Sequence, residues 1–427
     1  MLTYKQGRLG LIYKLAILAY ILAVVVVSYR AGLTIVAKIC ALILVGLFVF
    51  RAVSAGERPF VPREFKLAGA WFLLGVVSSL LSPDPSTTLA RIGTMLQVLP
   101  IAWVISNFIF WNGDGRFYWV GIVIAGVVSG LITMLNLGDS STIDGRVYGT
   151  LANANAFGAL LVVVLILTLS AIMATRVTIL QLGMLALAAG FLFLIGKTGS
   201  RMSMLGAIVG IGVVFYCYQV SARSRGASRA VAVILLGGLA IAGGAYYLSS
   251  SEFSDRLESL RVATESGDFR RGDNSLQIRS KLYAKAFDMA LDRPLIGWGL
   301  DTFKDAQIIL GFRLGNNAHS NYVEILQSTG IVGVILYFAI YQSWLSRLFR
   351  MRSLLSEREY AARFTAAGSI AIVFLVFDIA WVTYYEKLVW MIFAGLIAEV
   401  HLLGRSMSQG AHATARPPMM KWSGRAS

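Results

Sequence analysis

The chain is poor in the residues that build metal centres and cross-links: two cysteines and three histidines in 427 residues. Cys40 and Cys217 both fall inside strongly apolar stretches, so no disulfide framework is expected. His319 has no second His or Cys beside it at ligand spacing, so no metal site is expected. Nucleophilic Ser or Cys constellations are absent. The spacing of the apolar segments shows no internal repeat and no inverted pair of Gly/Pro-broken helices, which argues against a secondary transporter. Charged residues make up only 14% of the chain.

Hydrophobicity is what abounds, at 57% of residues, in blocks of about 20, the length that crosses a bilayer as helix. The pattern predicts an all-α polytopic membrane protein of about twelve transmembrane helices. Spans are expected near 10–28, 32–50, 67–82, 89–110, 117–136, 151–173, 178–196, 201–220, 230–249, 321–346, 361–382 and 386–404. Residues 1–249 would hold nine helices, 250–320 one long loop with amphipathic helices, 321–404 the last three helices and 405–427 a disordered tail.

Orientation follows from basic residues in short connections, because Lys and Arg resist translocation. Arg51, Arg58, Arg63 and Lys66 form one cluster, Arg223, Arg225 and Arg229 a second, and Arg347, Arg350, Arg352, Arg358 and Arg363 a third. With twelve spans all three lie on one side, as do Lys5 and Arg8 and the tail's Arg405, Arg416, Lys421 and Arg425. The alternate connections hold only Arg30, Arg91, Arg146, Lys197 and Lys387. Both termini are therefore expected to be cytoplasmic, with the first span an uncleaved signal-anchor. The 250–320 segment lies outside, where its ten basic residues are matched by ten acidic ones. The net charge of +16 thus comes mostly from cytoplasmic anchors and gives no support to nucleic-acid binding.

Candidate site residues gather at the outer ends. A helix from Leu276 to about Leu291 is amphipathic at 100° per residue. With Ile278 at 0°, Met289, Leu282, Ala286, Ala290, Tyr283, Leu276 and Phe287 fall between about 20° and 180°. Arg279 lies in their midst, while Lys281, Lys285, Asp288 and Asp292 take the opposite arc. A buried arginine needs an anionic partner, either a structural carboxylate or a ligand. Arg201 follows the turn Gly196-Lys197-Thr198-Gly199-Ser200 and opens a span where free N–H groups favour an anion. Its alternative is an interfacial anchor. Arg146 precedes Asn153-Ala154-Asn155, amides that serve helix packing as often as ligands. Asp378 sits in the outer half of the eleventh span, a functional candidate or half of a buried ion pair. His319, in Ala318-His319-Ser320-Asn321-Tyr322, is placed outside the cytoplasm between Arg293-Pro294-Leu295-Ile296-Gly297-Trp298-Gly299 and Gly330-Ile331-Val332-Gly333. A neutral imidazole accepts a proton near neutral pH, which makes general base its best chemical assignment.

In this order these pieces resemble the O-antigen ligase and polymerase superfamily: Gly145-Arg146 with Asn153-Ala154-Asn155-Ala156-Phe157, Thr198-Gly199-Ser200-Arg201, Arg279 ahead of Pro294 to Gly299, and His319 ahead of Gly330 to Gly333. The first five spans match only in number and hydrophobicity. Members often read His-Asn where this chain reads His319-Ser320-Asn321, which leaves open whether Asn321 takes the amide's place. The resemblance implies a bacterial inner-membrane glycosyltransferase with a periplasmic active site, in which Arg201, Arg279 and His319 matter most and a late acid is similar to Asp378.

Arg146, Asn155, Asn321, Asp378, Gly297 and Gly299 are the expected substrate-binding set. The implied donor is a glycan on undecaprenyl diphosphate, and the implied acceptor lipid A-core or another glycan, with membrane lipids as the remaining partners, no cofactor and no metal. A ligase is the leading expectation. A polymerase or protein O-oligosaccharyltransferase would use the same chemistry, and a flippase for lipid-linked sugars would be a different class.

Overall fold

The computed structural model describes residues 10–27, 33–82, 85–135, 142–143, 146–151, 153–175, 177–221, 274–303 and 318–414. They form a helical membrane bundle: α1 (Leu11–Leu22, continued by a π turn Ala23–Val27), α2 (Thr34–Ser54), α3 (Arg63–Leu80), α4 (Pro85–Asn112), α5 (Arg116–Met134), α6 (Ala154–Ala174), α7 (Thr178–Lys197), α8 (Arg201–Val220), α9 (Asn274–Asp292), α10 (Asn321–Arg350), α11 (Arg358–Phe377) and α12 (Lys387–Thr414). A two-rung hairpin, Thr142–Ile143 with Arg146–Val147, sits before α6.

Nine of the described helices are long and apolar enough to cross a membrane. Leu11–Val27 is apolar but shorter, and α3 has span length but carries Arg63, Glu64 and Lys66 in its first turn. The span expected near 230–249 lies outside the described residues, as does much of 250–320. The eleventh span ends earlier than its apolar run suggests, at Phe377, because the chain turns at Asp378. Helix α12 runs on to Thr414, past the point where a disordered tail was expected to begin; 415–427 lie outside the described residues.

Helix α6 is apolar all round and buried along almost its whole length, as a helix at the centre of a bundle should be. Helices α7, α8 and α11 pack around it, α3 packs on α10, and α4 on α12. Small residues let backbones approach: a side chain at Gly158 would overlap Ser203, and one at Gly210 would meet Ile166. Gly206 faces Phe377 and Gly210 faces Val373, so α8 and α11 run antiparallel, with Arg201 at the Phe377 end.

The opposite, basic end is stapled by charge. Arg51 forms a two-pronged pair with Glu57 at 2.7 Å, roofed by the Tyr13 and Trp111 rings. Glu64 accepts from Ser343 at 2.8 Å and lies 3.0 Å from His401, and Arg363 pairs with Glu399. Each pair places opposite charge or a hydrogen-bond partner beside a group that lipid would leave costly.

Helix α10 is broken at Gly330, whose φ of 65° and ψ of −168° are far from helical. The carbonyls of Gln327 and Ser328 would ordinarily accept from Ile331 and Val332. Instead they accept from Trp298 N at 3.0 Å and Gly299 N at 2.9 Å, while Ile331 and Val332 donate to Pro294 O and Leu295 O at 2.8 and 3.4 Å. The Pro294–Gly299 segment is thus spliced into the break and replaces both missing bonds, and Ser78 Oγ adds a further donor to Ser328 O at 2.8 Å. The splice demands bare backbone: a Cβ on Gly297 would overlap Ser328, and one on Gly330 would overlap Leu295.

The break is a sharp reversal. Asn321 Nδ2 donates to Tyr337 Oη at 2.8 Å, although a straight helix would separate those residues by about 24 Å along its axis. The half-helix 321–329 therefore folds back on 331–350, and its N-terminus, with His319 just before it, is aimed into the bundle.

Candidate active site

His319 sits at this inward-pointing start with φ 55°, one of two non-glycine residues with positive φ among those described. Ala318 N, just before it, donates to Glu324 Oε2 at 3.0 Å, and Glu324 N closes the first turn on Ser320 O at 3.0 Å. Glu324 is fully buried. The imidazole is half-buried. Histidine tolerates this backbone region better than most residues, and strain of this kind concentrates at functional sites.

Asn321 is fully buried and braces the turn rather than facing open space. Its Oδ1 accepts from Thr383 N at 3.0 Å and Tyr384 N at 3.1 Å, and its backbone N donates to Asp378 O at 2.8 Å. Asp378 is also fully buried. Its carboxylate accepts from Tyr337 Oη at 2.9 Å, Tyr341 Oη at 3.0 Å and Thr383 Oγ1. These three hydroxyls hold a carboxylate in an apolar bundle by a route other than the ion pair weighed from the sequence.

The other candidates meet at the same end of α11. Tyr322 Oη donates to Leu375 O at 2.7 Å, and Tyr283 Oη to Ile379 O at 3.3 Å. Arg279 stands one turn before Tyr283 on α9, on the arc where Leu282, Ala286, Met289 and Ala290 are buried. Phe287 and Leu291 on the next arc are exposed, so the buried stripe is narrower than the apolar pattern suggested. Arg201 opens α8 near Phe377, its backbone exposed to the N-terminal dipole. The preceding Ser200 caps that helix through Ser203 N at 3.3 Å and donates to Asn155 Oδ1 at 2.8 Å. Asn153 in turn caps α6 through Asn155 N at 2.8 Å. Asn155 therefore ties α6 to α8 beside Arg201. Arg146 lies in the short hairpin ahead of them. Gly297 and Gly299 serve the splice into α10, and Gly299 also lies against Ser79 and Thr88.

Two groups that carry no motif complete this end. Arg91 on α4 forms an ion pair with Asp301 at 2.5 Å and stacks on the Tyr385 ring, 3.5 Å from its centre. Glu386, in the turn before α12, has its carboxyl pushed up to about 7 by burial, against the pull of Arg91 and Lys387. Sequence reading placed Arg91 among scattered outer charges, and only the fold pairs it. Among the described residues no cluster of three His, Cys, Asp or Glu side chains is placed to hold a metal.

One end of the bundle thus collects an imidazole on a strained backbone, two arginine-bearing helix positions around the C-terminus of α11, and a buried carboxylate, Asp378, held by hydroxyls. Residues 184–338, which carry α8, α9, His319 and the Gly330 break, match the family model described as O-Antigen ligase. The match supports the resemblance to that superfamily, whose members are ligases and polymerases of the glycosyltransferase kind. No curated protein matches the chain.

Proposed function

We propose that this protein is an O-antigen ligase that transfers a finished glycan from undecaprenyl diphosphate to lipid A-core at the periplasmic face of the bacterial inner membrane. The observation that carries this reading is the convergence of Arg201, the Arg279-bearing helix and His319 on the C-terminal end of α11. An acceptor hydroxyl attacks the anomeric carbon, its oxygen forming the new glycosidic bond. The bond from that carbon to the diphosphate breaks, and undecaprenyl diphosphate leaves with the electron pair. His319 takes the hydroxyl's proton, and Arg201 and Arg279 hold the diphosphate oxygens, which guanidinium groups bind in pairs without losing their charge. Attack from the face opposite the leaving group inverts the anomeric centre. The basic end then faces the cytoplasm, together with both chain termini.

Ligase and polymerase share this chemistry and differ in the acceptor. In a strain lacking the gene, long lipid-linked glycan that stays unattached is the expected outcome. Accumulation of single repeat units would identify a polymerase instead. Purified protein given donor and acceptor should form product without ATP or an ion gradient, whereas a flippase would form none.

Arg201→Lys should lower transfer by roughly tenfold or more, since one ammonium cannot reproduce a two-pronged contact. Full activity in that variant, measured with lipid-linked donor in nanodiscs, would assign Arg201 to lipid headgroups. Chelator should leave the initial rate unchanged, and a rate restored only by divalent ions would require a different mechanism.

A further inference from the structure

We infer that Arg91, from a part of the chain outside the family match and with no motif around it, is a positioning residue for His319, acting through Asp301. The first four helices then supply part of the site's working geometry as well as its scaffold.

The chain of contacts is continuous. The guanidinium of Arg91 pairs with Asp301 at 2.5 Å, and both side chains are about nine-tenths buried, at 13% and 9% exposure. The Tyr385 ring 3.5 Å away fixes the plane of that guanidinium. Asp301 is the other non-glycine residue with positive φ, at 62°, so the ion pair holds a backbone that has a conformational cost. The neighbours of Asp301 are pinned as well: Leu300 N donates to Ser79 Oγ at 3.1 Å, and Thr302 Oγ1 accepts from Gln327 Nε2 at 3.0 Å. Two residues on, Phe303 is fully buried and packs in one apolar cluster with Ala318, Leu282 and Met289. Ala318 is the residue whose N–H is held by Glu324 and whose successor is His319. The pair therefore lies three steps from the imidazole: two residues of chain from Asp301 to Phe303, the buried apolar cluster that Phe303 shares with Ala318, and the peptide bond from Ala318 to His319.

An ion pair this buried carries a desolvation cost that packed apolar residues would avoid. A geometric role accounts for keeping it. Losing one partner should loosen the segment ending at Phe303 and release His319 from its set conformation, without touching the groups that hold the donor.

The test uses the full-length protein in nanodiscs and the reaction of histidines with diethyl pyrocarbonate, read residue by residue by mass spectrometry. In Arg91→Ala and in Asp301→Asn, His319 should react at least about threefold faster than in the wild type. His401, at the far end beside Glu64, should keep its rate and so report an intact fold. Arg91→Lys, which keeps a charge for Asp301, should fall between, and it stands in should the alanine variant not insert. An unchanged or slower His319 rate with His401 constant overturns the proposal. This readout needs no assumption about the reaction.

The kinetic arm rests on the proposed transferase reading. Here kcat should fall in Arg91→Ala while the donor KM holds, and Arg91→Ala with Asp301→Ala together should be no worse than the worse single variant. Additive losses, or a raised donor KM with kcat intact, would make Arg91 a direct ligand and sink its role through Asp301. Should the wild type transfer nothing, the function proposed above fails, and the modification rates still decide the case of Arg91.

Discussion

Replacing His319 by asparagine should lower glycan transfer ~10²–10⁴-fold, the span a positioned general base supplies, with unchanged protein in the membrane. Asparagine is the sharper substitution than alanine because it, too, tolerates the left-handed backbone that His319 adopts at φ 55°. It removes the imidazole and leaves the turn. Arg279→Ala should cost a similar factor, since a cation facing developing charge in a dry site is worth about 3 kcal/mol or more. The measurement is initial rate with saturating donor and acceptor. Wild-type turnover in either variant would strip that residue of its proposed part in the reaction.

Gly330→Ala should destabilise the protein by roughly 4 kcal/mol, the sum of a forced left-handed conformation and a backbone overlap. The new methyl would drive into the Leu295 carbonyl, and the segment spliced into α10 could not stay in place. Gly297→Ala should behave alike, because its methyl would meet Ser328 from the other side of the same splice. Gly46 in α2 has open space where a methyl would go, so Gly46→Ala should leave the melting temperature within a degree or two, or raise it slightly. Thermal unfolding of the detergent-solubilised variants gives the comparison, and a Gly330→Ala protein that melts with the wild type would contradict the splice.

Much of the bundle can be read from the sequence because lipid imposes a simple rule: a run of about 20 apolar residues has to be a helix to satisfy its own backbone. That rule says nothing about where a helix breaks. Residues 321–346 read as one apolar run, and the reversal at Gly330 is invisible because its missing hydrogen bonds are made by a segment about thirty residues earlier. The same fact explains the two glycine motifs. In the sequence they simply flank His319, and in the structure they are the two sides of one joint.

Asp378 was legible as a costly carboxylate but its partners were not, since Tyr337 and Tyr341 count as apolar in any periodicity and only the packing of the bundle brings them to it. Arg91 was illegible for a related reason. A single arginine at a helix start reads as an anchor until the fold brings Asp301 to it.

The splice also constrains how the protein can be made. Unmet amides at a helix break cost several kcal/mol apiece in hydrocarbon, so 331–350 cannot settle in the bilayer as a finished element on its own. Residues 294–299 leave the ribosome first and have to be in place when Gly330 arrives. Biogenesis of this chain therefore has an obligatory order, in which placement of residues 294–299 precedes completion of the helix after His319.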